Sequence, residues 1–116
     1  MKGTNLGEFE ELIVLIVGVL YPDAYGLSIR NAVIKQSNRN VAIGAVHSAL
    51  SRLEEKGFLT PRLDNATNKR GGRRKKLFTI TQAGQQAVEI NRNLRNSLWD
   101  KIPDIAWKSL SYEFIR

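Results

Sequence analysis

The chain has 116 residues, enough for one domain with a modest core, and its 42% hydrophobic and 25% charged content is that of a folded chain, not a disordered one. Its 18 Lys and Arg against 11 Asp and Glu give a net charge of +7 and a pI near 10.1, so a polyanion is the first partner to consider, nucleic acid ahead of an anionic membrane surface. The absence of cysteine excludes disulfides, thiolate chemistry and Cys-ligated zinc.

A first helix is expected to start near Asn5, whose side chain caps it while Glu8 reaches back. Phe9, Leu12, Ile13, Ile16, Val17 and Leu20 then recur at helical spacing until Pro22 and Asp23 stop the run. The apolar stretch 12–20 is far shorter than the roughly 20 residues of a membrane span. It also follows three glutamates, the wrong sign for a signal peptide, so a soluble, cytoplasmic protein is expected with no membrane partner. A second helix covers about 24–37, with Tyr25, Ile29, Ala32 and Val33 on one side. Asn38, Arg39 and Asn40 form a polar turn, and Asn40 is the candidate cap of the next helix.

That third helix has a stripe of Ile43, Val46, Leu50 and Leu53 at steps of three, four and three. Its outer face carries Gly44, Ala45, His47, Ser48, Ser51, Arg52 and Glu55, and Gly57 is placed to end it in the left-handed conformation. Strands are expected over 58–63 and 76–81, the second alternating Phe78 and Ile80 against Leu77 and Thr79; Pro61 makes the first an edge strand. Thr81 then caps a long helix with the stripe Ala87, Ile90, Leu94, Leu98 and Ile102. Pro103 interrupts it and opens a short terminal helix over 104–114 bearing Trp107, Leu110 and Phe114.

The order helix, helix, helix, hairpin, helix is the winged helix-turn-helix plan, mainly α with a small two-stranded β wing. The division is a domain over 1–81, with its wing about 64–75, and a long C-terminal helix with a short extension over 82–116. In this plan the third helix enters the major groove and the ribbon grips the flanking backbone. Gly44, Ala45 and Ser48 are small enough to approach base edges, while His47 and Arg52 can donate hydrogen bonds. Taken alone, the helix is an ordinary amphipathic one; the basic hairpin behind it is what turns the reading toward DNA. His47, the sole histidine, has no acidic residue within the following helical turn to orient it as a catalytic base.

The stretch 62–76 holds seven cations against Asp64 alone, nearly all of the chain's excess charge. Lys69, Arg70, Arg73, Arg74 and Lys75 flank Gly71 and Gly72, which allow close backbone approach and positive φ. The plainer account is a solvated charge run; a phosphate-binding P-loop is excluded because its Gly-Lys-Ser/Thr ending is missing. Four to six such cations on phosphates imply a log–log salt slope of roughly −4 to −5. The stripe of the long helix exceeds what folding back requires, so pairing with its twin through Ala87, Ile90, Leu94 and Leu98 is expected. A two-fold dimer sets its reading helices about 34 Å apart on a pseudo-palindromic duplex site. Trp99 and Trp107 near such a seam suit either packing or stacking on a flat aromatic ligand.

These residues also resemble a known family. Leu6-Gly7-Glu8-Phe9-Glu10-Glu11-Leu12, Ala24-Tyr25-Gly26, Gly44-Ala45-Val46, Leu50-x-x-Leu53-Glu54-x-Lys56-Gly57, Gly71-Gly72-Arg73-Arg74-Lys75 and Ile80-Thr81-x-x-Gly84 are similar to the PadR family of bacterial transcriptional regulators. The resemblance implies a winged-helix dimer, usually a repressor, that leaves DNA when a small molecule such as a phenolic acid or drug binds. It implies that residues 44–52 read DNA, that residues 69–75 form the wing and that the fourth helix dimerises. The chain departs from the family in having His47 where tyrosine is common, and Leu77 and Phe78 where an aromatic pair is common. Its short C-terminus resembles the compact subgroup, whose drug-binding members line the pocket with a tryptophan. Trp99 lies about one turn beyond that position and is the candidate effector contact. No cofactor is implied, and one histidine without cysteine gives no metal or enzyme site. The alternative function is a winged-helix module that binds RNA or a protein without controlling a gene.

Overall fold

The computed structural model describes residues 5–64 and 74–108. The elements are α1 (Glu8–Leu20), α2 (Gly26–Ser37), α3 (Ile43–Glu55), β1 (Leu59–Leu63), β2 (Lys76–Ile80) and α4 (Gln82–Lys101), in the predicted order. Residues 104–108 are again helical. The remainder of the expected terminal helix, with Leu110 and Phe114, lies outside the described residues, as do wing positions 65–73.

Glu8, Glu10 and Glu11 occupy the first turn of α1, where the helix dipole favours negative charge. The N-cap is Gly7, not Asn5; Gly7 O accepts Glu11 N–H at 2.8 Å, and Asn5 sits before the helix at φ 56°. Ser28 organises the start of α2 by accepting Tyr25 N–H at 2.9 Å and donating to Asp23 O at 2.8 Å. The helix ends at Asn38, whose left-handed φ of 58° suits an asparagine C-cap. Asn40 does not cap α3. The helix starts later, after extended Ala42, and the preceding Val41 is tied to α2 by Arg30 Nε donating to Val41 O at 3.1 Å.

The three helices enclose a core of Ile13, Val14, Val17, Ile29, Val33, Val46, Ala49, Leu50 and Leu53, joined by Leu59 and Phe78 from the hairpin. Each such large aliphatic side chain contributes about 1.5–3 kcal/mol on burial. The buried stripe of α3 is Val46, Ala49, Leu50 and Leu53; Ile43, expected in it, is 39% exposed. Ile43 lies one turn too early to reach α1 and α2, and small Ala49 fills the fourth place.

β1 and β2 pair antiparallel, with Leu59 opposite Ile80 and Leu63 opposite Lys76. The expected in–out alternation of β2 fails, since Leu77 and Phe78 are both buried. The loop after α1 reaches the strand here and occupies its free edge, Phe78 N–H donating to Ala24 O at 2.8 Å.

One junction closes the hairpin and launches α4. Gly57 ends α3 at φ 80°. Thr81 N–H donates to Phe58 O at 3.1 Å, and Thr81 Oγ1 donates to Gly57 O at 2.6 Å while accepting Gly84 N–H at 3.0 Å. Thr81 is thus the predicted N-cap and also a tie to the end of α3. Gly84 rests directly on the Phe58 carbonyl, where any Cβ would collide with backbone. By contrast, a Cβ on Gly44 meets nothing within 4 Å. Gly84→Ala is therefore expected to destabilise the domain by about 2 kcal/mol or more, while Gly44→Ala is neutral or stabilising by up to about 1 kcal/mol. Chemical denaturation of the two variants checks the contrast.

Candidate nucleic-acid interface

The free surface of α3 divides into three strips. The middle one carries Gly44, Ser48, Ser51 and Glu55, all exposed. One flank turns toward the start of α2 and β2, with exposed His47 and half-buried Glu54. The other turns toward α1 and carries Ala45, Arg52 and Lys56. Glu54 and Glu55 would repel phosphates at the C-terminal end of the helix. The outward side chains of the first two turns are small and carry no negative charge.

Arg52 is not among those outward groups. Its Nε donates to Glu10 Oε2 at 2.7 Å, and Lys56 Nζ donates to Glu10 Oε1 at 2.6 Å and to Asn5 O at 2.6 Å. Glu10 is almost fully buried on α1, and Arg52 leans toward it on the α1 side of the helix with half of its side chain still exposed. Burial works to raise the Glu10 pKa, but hydrogen bonds and charge from Lys56 and Arg52 outweigh it and hold the carboxyl below its ordinary value. Sequence reasoning missed Glu10. The available signal was a carboxylate in helical phase with Ile13 and Val17, on a face otherwise apolar.

The start of β2 lies beside the His47 and Glu54 flank of α3. Arg74, Lys75 and Lys76 are exposed. Lys75 Nζ stands 4.4 Å over the Tyr25 ring, and Lys76 Nζ donates to Glu54 Oε1 at 3.2 Å. Lys69, Arg70, Gly71, Gly72 and Arg73 lie outside the described residues. Asn40 is exposed on the turn entering α3, close in sequence to Arg39, which pairs with Glu8 at 2.7 Å. No group of three or more His, Asp or Glu residues able to hold a metal ion occurs among the described residues. Nor is any described helix long and apolar enough to cross a membrane.

The stripe proposed for dimerisation separates into two parts. Ala87 is buried against its own domain next to Gly84 and is not available to a partner. Beyond it, Ile90, Leu94 and Leu98 stay exposed, the last two at 58% and 55%. Trp99 is also exposed, and its ring centroid lies 5.2 Å from that of Trp107, which the bend at Ile102 and Pro103 returns to it. Trp99 does not line the groove of about 280 Å³ between α1 and α4, which is formed by Glu11, Leu15, Val88, Glu89, Arg92, Arg95 and Asn96.

Residues 14–90 match the family described as transcriptional regulator PadR-like. No curated protein matches the chain. Among solved structures, the fold is similar to that of H. salinarum RosR, with a TM-score of 0.66 and 20% identity over 93% of this chain and 90% of that one. A PadR-like transcription factor from Bacteroides fragilis gives 0.66 and 21%, over 79% and 84%. A PadR family transcription regulator from Clostridium difficile R20291 gives 0.64 and 23%, over 95% and 100%.

Glu10→Gln keeps the shape of the side chain and removes the charge that Arg52 and Lys56 share. A fully buried pair broken on one side costs about 3–5 kcal/mol, but half-exposed Arg52 reduces this to about 1–2 kcal/mol at pH 7. Because the folded-state pKa is depressed, the stabilisation is present above the ordinary carboxylate value and is lost as pH falls through the lower folded one. Denaturation of wild type and Glu10→Gln should therefore differ at pH 7 and converge only in acid, below the lowered folded-state value of Glu10.

Proposed function

The chain belongs to the PadR-like family of transcriptional regulators and is a DNA-binding transcription regulator, not an enzyme; from that premise we propose a cytoplasmic homodimer that represses by occupying a pseudo-palindromic duplex site. The observation that carries this reading is the exposed, small-residue first half of α3 beside the cations at the base of the wing. Gly44, Ala45, His47 and Ser48 meet base edges, whereas Asn40, Arg74 and Lys75 contact phosphates, joined by Lys69, Arg70, Gly71, Gly72 and Arg73. Phosphate contacts provide grip and salt dependence, and base contacts provide choice of sequence.

Ile90, Leu94 and Leu98 support the dimer, since a 20-residue helix about 30 Å long otherwise leaves its apolar stripe in water. Release by a small aromatic effector is supported by the family resemblance and by the Trp99–Trp107 pair at the far end of that stripe. Sedimentation of Leu94→Glu with Leu98→Glu should show a monomer where the wild type sediments as a dimer.

Mobility-shift titrations across salt test the DNA assignment. Joint replacement of Arg73 and Arg74 by alanine is expected to weaken binding to every duplex alike and to lower the salt slope by about 2. Unchanged affinity sinks the wing assignment, and a preference for single-stranded RNA over duplex DNA in competition sinks the function.

A further inference from the structure

The glycine that opens α2 has no backbone reason to be there. Gly57 is the glycine with a positive φ among the described residues; Gly26 begins an ordinary helix after an extended Tyr25. Glycine at a helical position costs roughly 0.5–1 kcal/mol against alanine. What Gly26 provides is space. A Cβ built on it would lie 2.6 Å from His47 Cε1 and 3.3 Å from each of Nδ1 and Nε2. The edge of the imidazole holding both nitrogens therefore rests on the bare Cα of Gly26. Gly26 is buried and His47 exposed, so the ring is seated on one side and open to solvent on the other. The same cleft is completed by Tyr25, Glu54 and Lys76.

We infer that Gly26 is a positioning residue for DNA recognition: its missing side chain fixes the orientation in which His47 meets the bases. The inference rests on α3 being the reading helix. A side chain already held in its bound orientation loses less freedom on binding, and its hydrogen bond discriminates geometry more sharply. The group displaced by a Cβ is the far end of a side chain and not backbone. Gly26→Ala therefore turns the ring out of place while leaving the fold intact, unlike Gly84→Ala.

The test uses the full chain as wild type, Gly26→Ala, His47→Ala and the double variant. Each is titrated with a duplex enriched from a random pool by the wild type and with a scrambled duplex at one salt concentration. Gly26→Ala and His47→Ala should each lower the ratio of the two affinities about 5–20-fold, and the double variant should match His47→Ala alone. The sole histidine gives a single Hε1 resonance, which should show a nuclear Overhauser contact to Gly26 Hα in the wild type and shift in Gly26→Ala. An equal loss from Gly26→Ala in the His47→Ala background, an unchanged ratio, or absence of that contact in the wild type overturns the inference. If His47→Ala and Ser48→Ala both leave the ratio unchanged, the inference falls together with the assignment of α3 as reader. Loss of the ratio in Ser48→Ala alone, with His47→Ala silent, overturns only the inference.

Discussion

The contact of Gly84 with the Phe58 carbonyl sets the course of everything C-terminal to α3. Three hydrogen bonds converge there, two joining Thr81 to the backbone of residues 57 and 58 and one capping the first turn of α4. Each could be made at other helix angles; the backbone-on-backbone approach at Gly84 could not. Close packing without a Cβ thus converts a flexible strand-to-helix turn into a fixed corner. The hairpin is closed at its base by the same corner, so the wing strands and the projecting helix share one anchor.

The charge distribution has a matching logic. The chain is basic, yet several cations of the helical domain are already satisfied internally: Arg39 by Glu8, Arg52 and Lys56 by Glu10, and Arg95 by Glu11. These pairs consume the acidic first turn of α1. The hairpin lacks such a set of carboxylates; within 62–76 the sequence provides Asp64 alone. A net charge spread over the whole surface would attract a polyanion in any orientation. Neutralising the helical half and leaving the hairpin sequence basic gives any attraction to a polyanion a direction.

Periodicity and capping chemistry made the element order legible before any coordinates, because they depend on residues three or four apart. Thr81, Gly57 and the stripe Val46, Leu50 and Leu53 are of that kind. What the sequence could not disclose depends on partners far along the chain. Glu10 meets Arg52 and Lys56 across separations of 42 and 46 residues; its phase with Ile13 and Val17 marks it for the buried face, but nothing local names its partners. Ile43 and Ala49 exchanged places for a related reason: hydrophobicity nominates isoleucine, but the reach of α1 and α2 decides which position is covered. Ala87 belonged to the apolar stripe by phase alone; its burial follows from the corner at Gly84. Gly26 and Gly84 were visible as residues in a motif, while the contacts that require them were not.

α1 brings these strands of argument together. Its consecutive glutamates point to different elements, Glu10 to the end of α3 and Glu11 to Arg95 of α4 at 2.6 Å. Both carboxylates are buried, and ion pairs in such positions return little net stability after desolvation; their contribution is orientation. A third glutamate, Glu8, faces Arg39 on the turn before α3. The first turn of α1 therefore touches the turn before α3, the far end of α3 and the shaft of α4. The Arg95 side chain is itself largely exposed, so the Glu11–Arg95 pair ties α4 to α1 through a flexible arm and not through backbone contact, unlike the corner at Gly84.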